Sequence, residues 1–349
     1  RSIDRFFFIE PHQRIIAVIG AGVHRTICVV RCAAVNANHS FINIKLQMPL
    51  EVKQITGPLV LGEGPHWDDR VQALYFVSIH EKTIHKYNPA SGEHTKTTLD
   101  GRPGFIVPVE SALDQFVVGL EREFVVLQWD GAEGSAVKVV RKIGEVDQEA
   151  ARNRINDGKA DPRGRIFGGT MGYEKSPGDF AQEQGSLYRV DGNITRVADK
   201  IGISNGLAWD LSAKAMYYID SLEQNVRRYD YDVDTGNISN MRHIFNLPKN
   251  GLDGFPDGGT IDTDGNLWIA VFSNGVVIQV SPEGKLLRQV PIPAKQVTSC
   301  TFGGPNLDIL FVTTSRYMNK PGEGDPQDGC TFMVTGLGVK GHPNVNYKF

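Results

Sequence analysis

The sequence predicts an all-β fold, a six-bladed β-propeller of four-stranded antiparallel blades, and three observations predict it. A short acidic or amide motif recurs along the chain as Glu63-Gly64-Pro65, Asn156-Asp157-Gly158, Asn205-Gly206 and Pro256-Asp257-Gly258. Each copy opens the same grammar: a short apolar strand, an acidic or Gly turn, an aromatic strand, then a strand ending in charge. PHWDDRVQALYFVSIHEKTIHKYNPASGE from Pro65, GLAWDLSAKAMYYIDSLEQNVRRYDYDVDTGN from Gly206 and GGTIDTDGNLWIAVFSNGVVIQVSPEGK from Gly258 share this order. No long helical pattern interrupts these segments. Units of roughly 40 to 50 residues with four short strands each are propeller blades. A lone four-stranded sheet cannot bury both faces, so the blades must pack on one another around a common axis.

The elements follow in order. Residues 1–47 lie outside the repeat. Within them Ile15-Ile16-Ala17-Val18-Ile19-Gly20-Ala21-Gly22 imitates a dinucleotide fingerprint, but the third Gly is missing and no helix pattern follows. Arg25 and Arg31 interrupt the same stretch as a signal-peptide core, and it is too short and too charged to span a membrane. It is therefore expected to be a disordered or non-native extension, with the propeller running over 48–349 from Met48 and the strand-like Val52-Lys53-Gln54-Ile55. The first unit starts at Glu63. The gap to Asn156 is about twice the later ones, and Phe105 to Glu145 fills it with FIVPV, QFVVGLE, EFVVLQW and KVVRKI. A weaker third copy, GKADPRGRIFGGTM and GSLYRVDGN, follows Asn156; the fourth and fifth start at Asn205 and Asp257. Near Thr298 a sixth begins with TSCTFGG, ILFVTTS and CTFMVTG.

Composition bounds the function. With 40% hydrophobic residues and a formal charge of −3 over 349 residues, the chain is an ordinary globular one without a dedicated nucleic-acid surface. Residues 1–50 hold six Lys/Arg against two Asp/Glu, so the acidic excess lies in the repeat. Four cysteines, Cys28, Cys32, Cys300 and Cys330, are too few for a disulfide framework in a chain of this length. The expectation is a reduced, cytoplasmic monomer with a small-molecule substrate and neither a nucleic-acid nor a membrane partner.

A propeller brings the starts of its inner strands to a central channel, so Glu63, Asn156, Asn205 and Asp257 are expected to converge there. Two carboxylates and two amide carbonyls are hard oxygen donors without His or Cys at matching positions, which favours Ca²⁺, Mg²⁺ or Mn²⁺ over tetrahedral zinc. Taken singly, each motif is also an ordinary hairpin turn. Arg154, two residues before Asn156, projects to the same side of an extended segment and could hold a hydroxylated or carboxylated substrate. Glu174, in the polar loop from Gly172 to Gln184, could reach the substrate from the channel rim. Three other signals are set aside. Asp230 to Gly236 has its Gly one place late for a calcium loop and Met241 where Glu is required, so it is a hairpin. His66, His80, His85 and His94 cluster in the first unit and are expected at the surface. No Gly-x-Ser-x-Gly elbow is present.

Gly62-Glu63-Gly64-Pro65-His66-Trp67, Asn153-Arg154-Ile155-Asn156-Asp157-Gly158-Lys159, Gly169-Thr170-Met171, Ser204-Asn205-Gly206-Leu207-Ala208-Trp209, Tyr217-Tyr218-Ile219-Asp220-Ser221 and Pro256-Asp257-Gly258 together resemble the regucalcin (senescence marker protein), gluconolactonase and luciferin-regenerating enzyme family over about 55–349. Phe302-Gly303-Gly304-Pro305-Asn306 and Thr335-Gly336-Leu337-Gly338 look most like its insect luciferin-regenerating members. The resemblance implies one divalent cation (Ca²⁺, Mg²⁺, Mn²⁺ or Zn²⁺) held by Glu63, Asn205 and Asp257, with Arg154, Asn156 and Glu174 binding substrate. It moves Asn156 from the ligand set towards the substrate. Gly259 departs from the Met that regucalcins usually carry after Pro-Asp-Gly. The expected activity is metal-dependent hydrolysis of a lactone such as gluconolactone, with Asp257 as general base. Action on oxyluciferin and a non-catalytic calcium-binding regulator are the alternatives.

Overall fold

Short runs such as Ala73–Ser78 (ALYFVS), Ala215–Asp220 (AMYYID) and Leu267–Phe272 (LWIAVF) are rich in β-branched and aromatic residues and bounded by Gly, Asp and Asn turns. In the computed structural model, which describes residues 49–176, 178–320 and 322–349 together with three earlier strands, they are second strands of four-stranded antiparallel blades. Six blades form the propeller, and among the described residues there is no α-helix, only two short 3-10 turns.

The inner strands are Gly62–Asp68, Pro103–Pro108, Arg154–Ala160, Ser204–Asp210, Phe255–Ile261 and Gln296–Gly303. Each pairs with the next strand in sequence, so five blades are simple meanders. The sixth differs. Its inner three strands, Gln296–Gly303, Ile309–Ser315 and Phe332–Thr335, are completed by Glu51–Gln54 from the other end of the repeat. Thr331 O and Gly329 O accept from the amides of Ile55 and Leu59 at 2.9 and 2.8 Å and extend that seam. Closing the ring in this way leaves no unpaired blade edge between the first and last units.

Packing is between blades. Tyr75, Val77 and Ile84 of blade 1 meet Phe116, Val118 and Trp129 of blade 2; Tyr217, Ile219 and Val226 of blade 4 meet Ile261, Ile269 and Ile278 of blade 5. Each such side chain is almost fully buried, which stabilises by about 1.5–3 kcal/mol apiece before chain entropy is subtracted. Outer strands such as Lys138–Glu145 are largely exposed and charged.

Residues 340–349 run across the end of the propeller remote from the motif ends of the inner strands. The amide of Gly341 donates to Leu307 O at 2.8 Å, that of Tyr347 to Pro108 O at 2.9 Å and that of Lys348 to Gly164 O at 3.1 Å. Asn346 meets His66 Nε2 at 3.2 Å and donates to Glu110 at 2.8 Å, and Tyr347 is buried. The segment thus ties blades 1, 2, 3 and 6 together.

Three sequence expectations need correction. The recurring Gly motifs are not hairpin turns but lie inside the inner strands, at β-bulges. His66 and His85 are buried, not at the surface, while His80 and His94 are half-buried. The polar loop after Gly172 contains a small ribbon, Glu174–Ser176 paired with Asp179–Phe180. The expectation of a disordered extension over 1–47 falls outside the described residues except for Asp4–Ile9, Arg14–Gly20 and Thr26–Arg31, which pair antiparallel in sequence order.

Candidate functional site

Register shifts interrupt the pairing of inner and second strands between Glu63 and His66, Ile155 and Asp157, Asn205 and Leu207, and Pro256 and Gly259. A bulge inserts residues that the partner strand does not match, and so re-aims side chains away from regular alternation. Here it turns one polar side chain per blade towards the channel.

The Gly beside each polar residue has its own cause. At Gly64, φ is +54° and a Cβ would lie 3.0 Å from the Phe105 Cα, so both conformation and neighbour demand Gly. At Gly206 and Gly258 a Cβ would sit 2.8 Å from Asp257 O and 2.0 Å from Ser299 Oγ. The motif glycines therefore let the inner strands of successive blades close in on the axis.

All six side chains singled out in the sequence, Glu63, Arg154, Asn156, Glu174, Asn205 and Asp257, line one cavity of about 860 Å³. Five are buried, Arg154 at 9% and Asp257 at 8% exposure; Glu174 is half-buried. Asn205 donates through Nδ2 to Ser221 Oγ at 2.8 Å, and that hydroxyl donates to Pro256 O at 2.7 Å. With its NH₂ held there, Asn205 presents Oδ1 to the cavity side. Asn156 Nδ2 donates to Ser204 O at 2.8 Å and to Asn205 Oδ1 at 3.2 Å, which sets Asn156 beside the other residues rather than in line with them.

The carboxylates are the electrostatic problem of the site. Among the described residues Glu63 accepts only from its neighbour's amide, Gly64 N, at 3.2 Å, and Asp257 Oδ1 is buried without a hydrogen-bond partner. Burial first, and for Glu63 then the charge of Asp257, push both acids well above the usual carboxylate range, with Asp157 adding to each. Arg154 offsets this only weakly and makes no ion pair among the described residues; its guanidinium donates to Ile155 O at 3.2 Å and is itself brought down to about 10 by burial and then by Arg102. A buried, unpaired oxygen in a field of like charge is what a cation relieves.

The donor set fits a hard divalent ion. Among the described residues no three of His, Cys, Asp and Glu converge as a cluster of ligands, so a nitrogen- or sulfur-rich site is absent from them. Glu63, Asp257 and the Asn205 carbonyl offer oxygen alone.

Several functional neighbours escaped the sequence reading. Ser221, which orients Asn205, was present in the quoted Asp220-Ser221 motif without a role. Asp157 lies deeper in the channel and is pushed up to about 6 by burial, beside Lys159, whose Nζ donates to Gly259 O at 2.8 Å. At the rim His80 stacks on Tyr317 with centroids 4.1 Å apart, and the Tyr317 hydroxyl donates to Glu174 at 2.7 Å. The second Glu174 oxygen accepts from Gly178 N at 2.9 Å. The stacking of His80 on Tyr317, the Tyr317–Glu174 bond and the Lys159–Gly259 bond cross from one blade to another, and no local pattern announces them.

Comparison with known proteins gives the same outline. Residues 61–316 match the profile of the SMP-30/Gluconolactonase/LRE-like region. Regucalcin of Sus scrofa is 41% identical over 296 residues, covering 82% of this chain and 94% of that protein. A solved luciferin-regenerating enzyme superposes with a TM-score of 0.80 at 41% identity, over 86% of this chain and all of the other. A calcium-binding regucalcin of Agrobacterium tumefaciens shares the fold, with a TM-score of 0.76 at 24% identity over 86% and 98% of the two chains. Among the described residues no helix is long and apolar enough to cross a membrane. On the extent of both the profile match and the regucalcin identity, this chain belongs to the SMP-30/gluconolactonase/LRE-like family.

Proposed function

We propose that the protein is a divalent-metal-dependent hydrolase that opens a lactone. The observation that carries this reading is Asp257 Oδ1, buried and unpaired beside Glu63 at a cavity also lined by Arg154 and Asn156. Glu63, Asn205 and Asp257 would hold the cation. Bound there, it supplies polarisation of a carbonyl and a lowered pKa for a water.

The chain's own groups account for the rest. Asp257 takes a proton from the water as its oxygen adds to the ring carbonyl carbon, and the proton passes to the ring oxygen as the carbon–oxygen bond breaks. The product is the open hydroxy acid. Arg154 and Asn156 orient the substrate, a role whose value lies in holding the reacting atoms at the right separation. Asn205, held by Ser221, stays fixed through the cycle.

The named relatives support the reading without assigning it: one is a luciferin-regenerating enzyme and others are regucalcins. Purified protein, offered gluconolactone and a panel of other lactones, should turn over substrate only with added divalent metal. Turnover undiminished in excess chelator, or in the Asp257→Asn variant, would sink the proposal.

A further inference from the structure

The cavity is larger and more apolar than a polyol requires. At about 860 Å³ it is of the size that accepts a drug-like molecule, and its lining includes Leu61, Met171, Phe180, Leu222, Phe255 and Phe272. Polyols are recognised by short polar side chains, and those present here, among them Asn156, Asn205, Ser221 and Asp257, share the wall with this apolar set.

The charges are the second observation. Four arginines and four carboxylates line the cavity. Arg102 is taken by Glu121, with Nη2 to Oε2 at 2.7 Å, and Arg122 by Glu145 at 2.5 Å. Glu174 accepts at both oxygens from Tyr317 and Gly178. Among the described residues the other two arginines have no carboxylate partner. Arg154 is nine-tenths buried and spends one guanidinium nitrogen on a carbonyl. Arg152 sits over the Tyr173 ring, its guanidinium carbon 3.3 Å from the centroid. Stacking uses the face of a guanidinium and leaves its in-plane N–H donors free for a carboxylate. With Glu63 and Asp257 neutralised by a divalent cation, and Arg102 and Arg122 held by Glu121 and Glu145, the two remaining arginines outweigh the remaining carboxylate, Glu174, by a single positive charge.

Resting on the lactonase reading, we propose that the substrate class is an acidic lactone with an apolar body, whose carboxylate is received by Arg152 on its Tyr173 platform and by Arg154 beneath it. Arg152 then determines specificity, because it is the member of the pair that lies at the exposed mouth. The Leu, Met and Phe side chains cover the body between the carboxylate and the ring.

The test uses matched probes: a δ-lactone whose alkyl or aryl side chain ends in a carboxylate, its methyl ester, and the two corresponding lactams, which resist hydrolysis. Calorimetry and thermal shift on the full chain, with Mn²⁺ and with chelator, should give a preference for the lactam acid over the lactam ester on the order of tenfold, falling as salt is raised. That preference should collapse towards one in Arg152→Gln and survive in part in Arg152→Lys. The ratio of kcat/KM for acid over ester lactone should follow it. Equal binding of acid and ester, or a ratio unchanged in Arg152→Gln, overturns the inference. Failure of the lactonase reading is separable, since it abolishes turnover of both lactones while the lactam preference persists.

Discussion

Asn205 and Ser221 form one unit: the amide Nδ2 of the first donates to the hydroxyl of the second at 2.8 Å, and the hydroxyl donates onward to Pro256 O at 2.7 Å. The hydroxyl thus joins the inner strand of blade 4 to that of blade 5, and it decides which end of the Asn205 amide faces the cavity.

Ser221→Ala should leave the propeller folded while freeing the amide to rotate. Loss of a group that orients a ligand typically costs 10- to 100-fold in metal affinity, so about that loss is expected by metal titration, with kcat/KM falling in step. Ser221→Thr, which keeps the hydroxyl, should retain most of the affinity. Unchanged affinity in Ser221→Ala would show that the chain to Pro256 does not set the orientation.

Asp257→Asn removes one of two buried acids that repel each other. In chelator the variant should melt about 1–2 °C above the parent, since relieving roughly 1 kcal/mol moves the midpoint by about that much in a chain of this size. In metal the order should reverse. Ligand at 100 times its Kd stabilises by about 2.7 kcal/mol, a gain the parent shows and the variant loses. Melting curves with and without metal check both signs.

His66 gives a pH dependence. Burial is the main reason its imidazole is held down to about 4, against 6.5 for the exposed group, despite the attraction of Asp68 and its contact with Asn346. Between pH 6.5 and about 4 the unfolded chain therefore binds more protons than the folded one. Stability is highest above 6.5 and is lost as pH falls, by on the order of 3 kcal/mol across the window. His66→Gln, whose amide can still donate to Asn346, should flatten the slope of urea stability over that range. An unaltered slope would place the titration on another group.

Tyr347 closes the far end of the propeller, its backbone paired with Pro108 and Glu110 and its ring buried. Tyr347→Ala should cost about 3 kcal/mol of stability, as for other large buried aromatic truncations, and raise no KM, because the residue is outside the cavity lining. Denaturant titration and steady-state kinetics on the same preparation separate the two effects.

The architecture was legible because it is written six times; strands, turns and the 40- to 50-residue period reinforce one another. Convergence of Glu63, Asn156, Asn205 and Asp257 followed from the same repeat. What misled was the local reading of Asn-Gly and Asp-Gly as turns. Those dipeptides are equally suited to a bulged strand, and the reason for Gly at Gly206 or Gly258 is the next blade's Asp257 or Ser299, some 40 to 50 residues away. His66 and His85 were misplaced for a related reason. Their burial depends on Asn346 and on the stacked Phe76 and His94, contacts that alternation along one strand does not report. Ser221, Tyr317 and Arg152 had no role legible in sequence, since each acts through a partner that the strand pattern does not specify: Asn205, Glu174 and Tyr173.

The sixth blade is finished by Glu51–Gln54, so the strand pairing of the ring closes at one noncovalent seam, which the segment 340–349 reinforces from the far end. Glu63 follows that strand directly and Asp257 belongs to the fifth blade, on the other side of the seam. A chain with the seam open keeps every other blade's hydrogen bonds, yet holds these two acids less firmly at one place. Metal affinity is then a gauge of ring closure: it should fall sharply for any change that loosens the pairing of Glu51–Gln54 with Phe332–Thr335, well before secondary structure is lost.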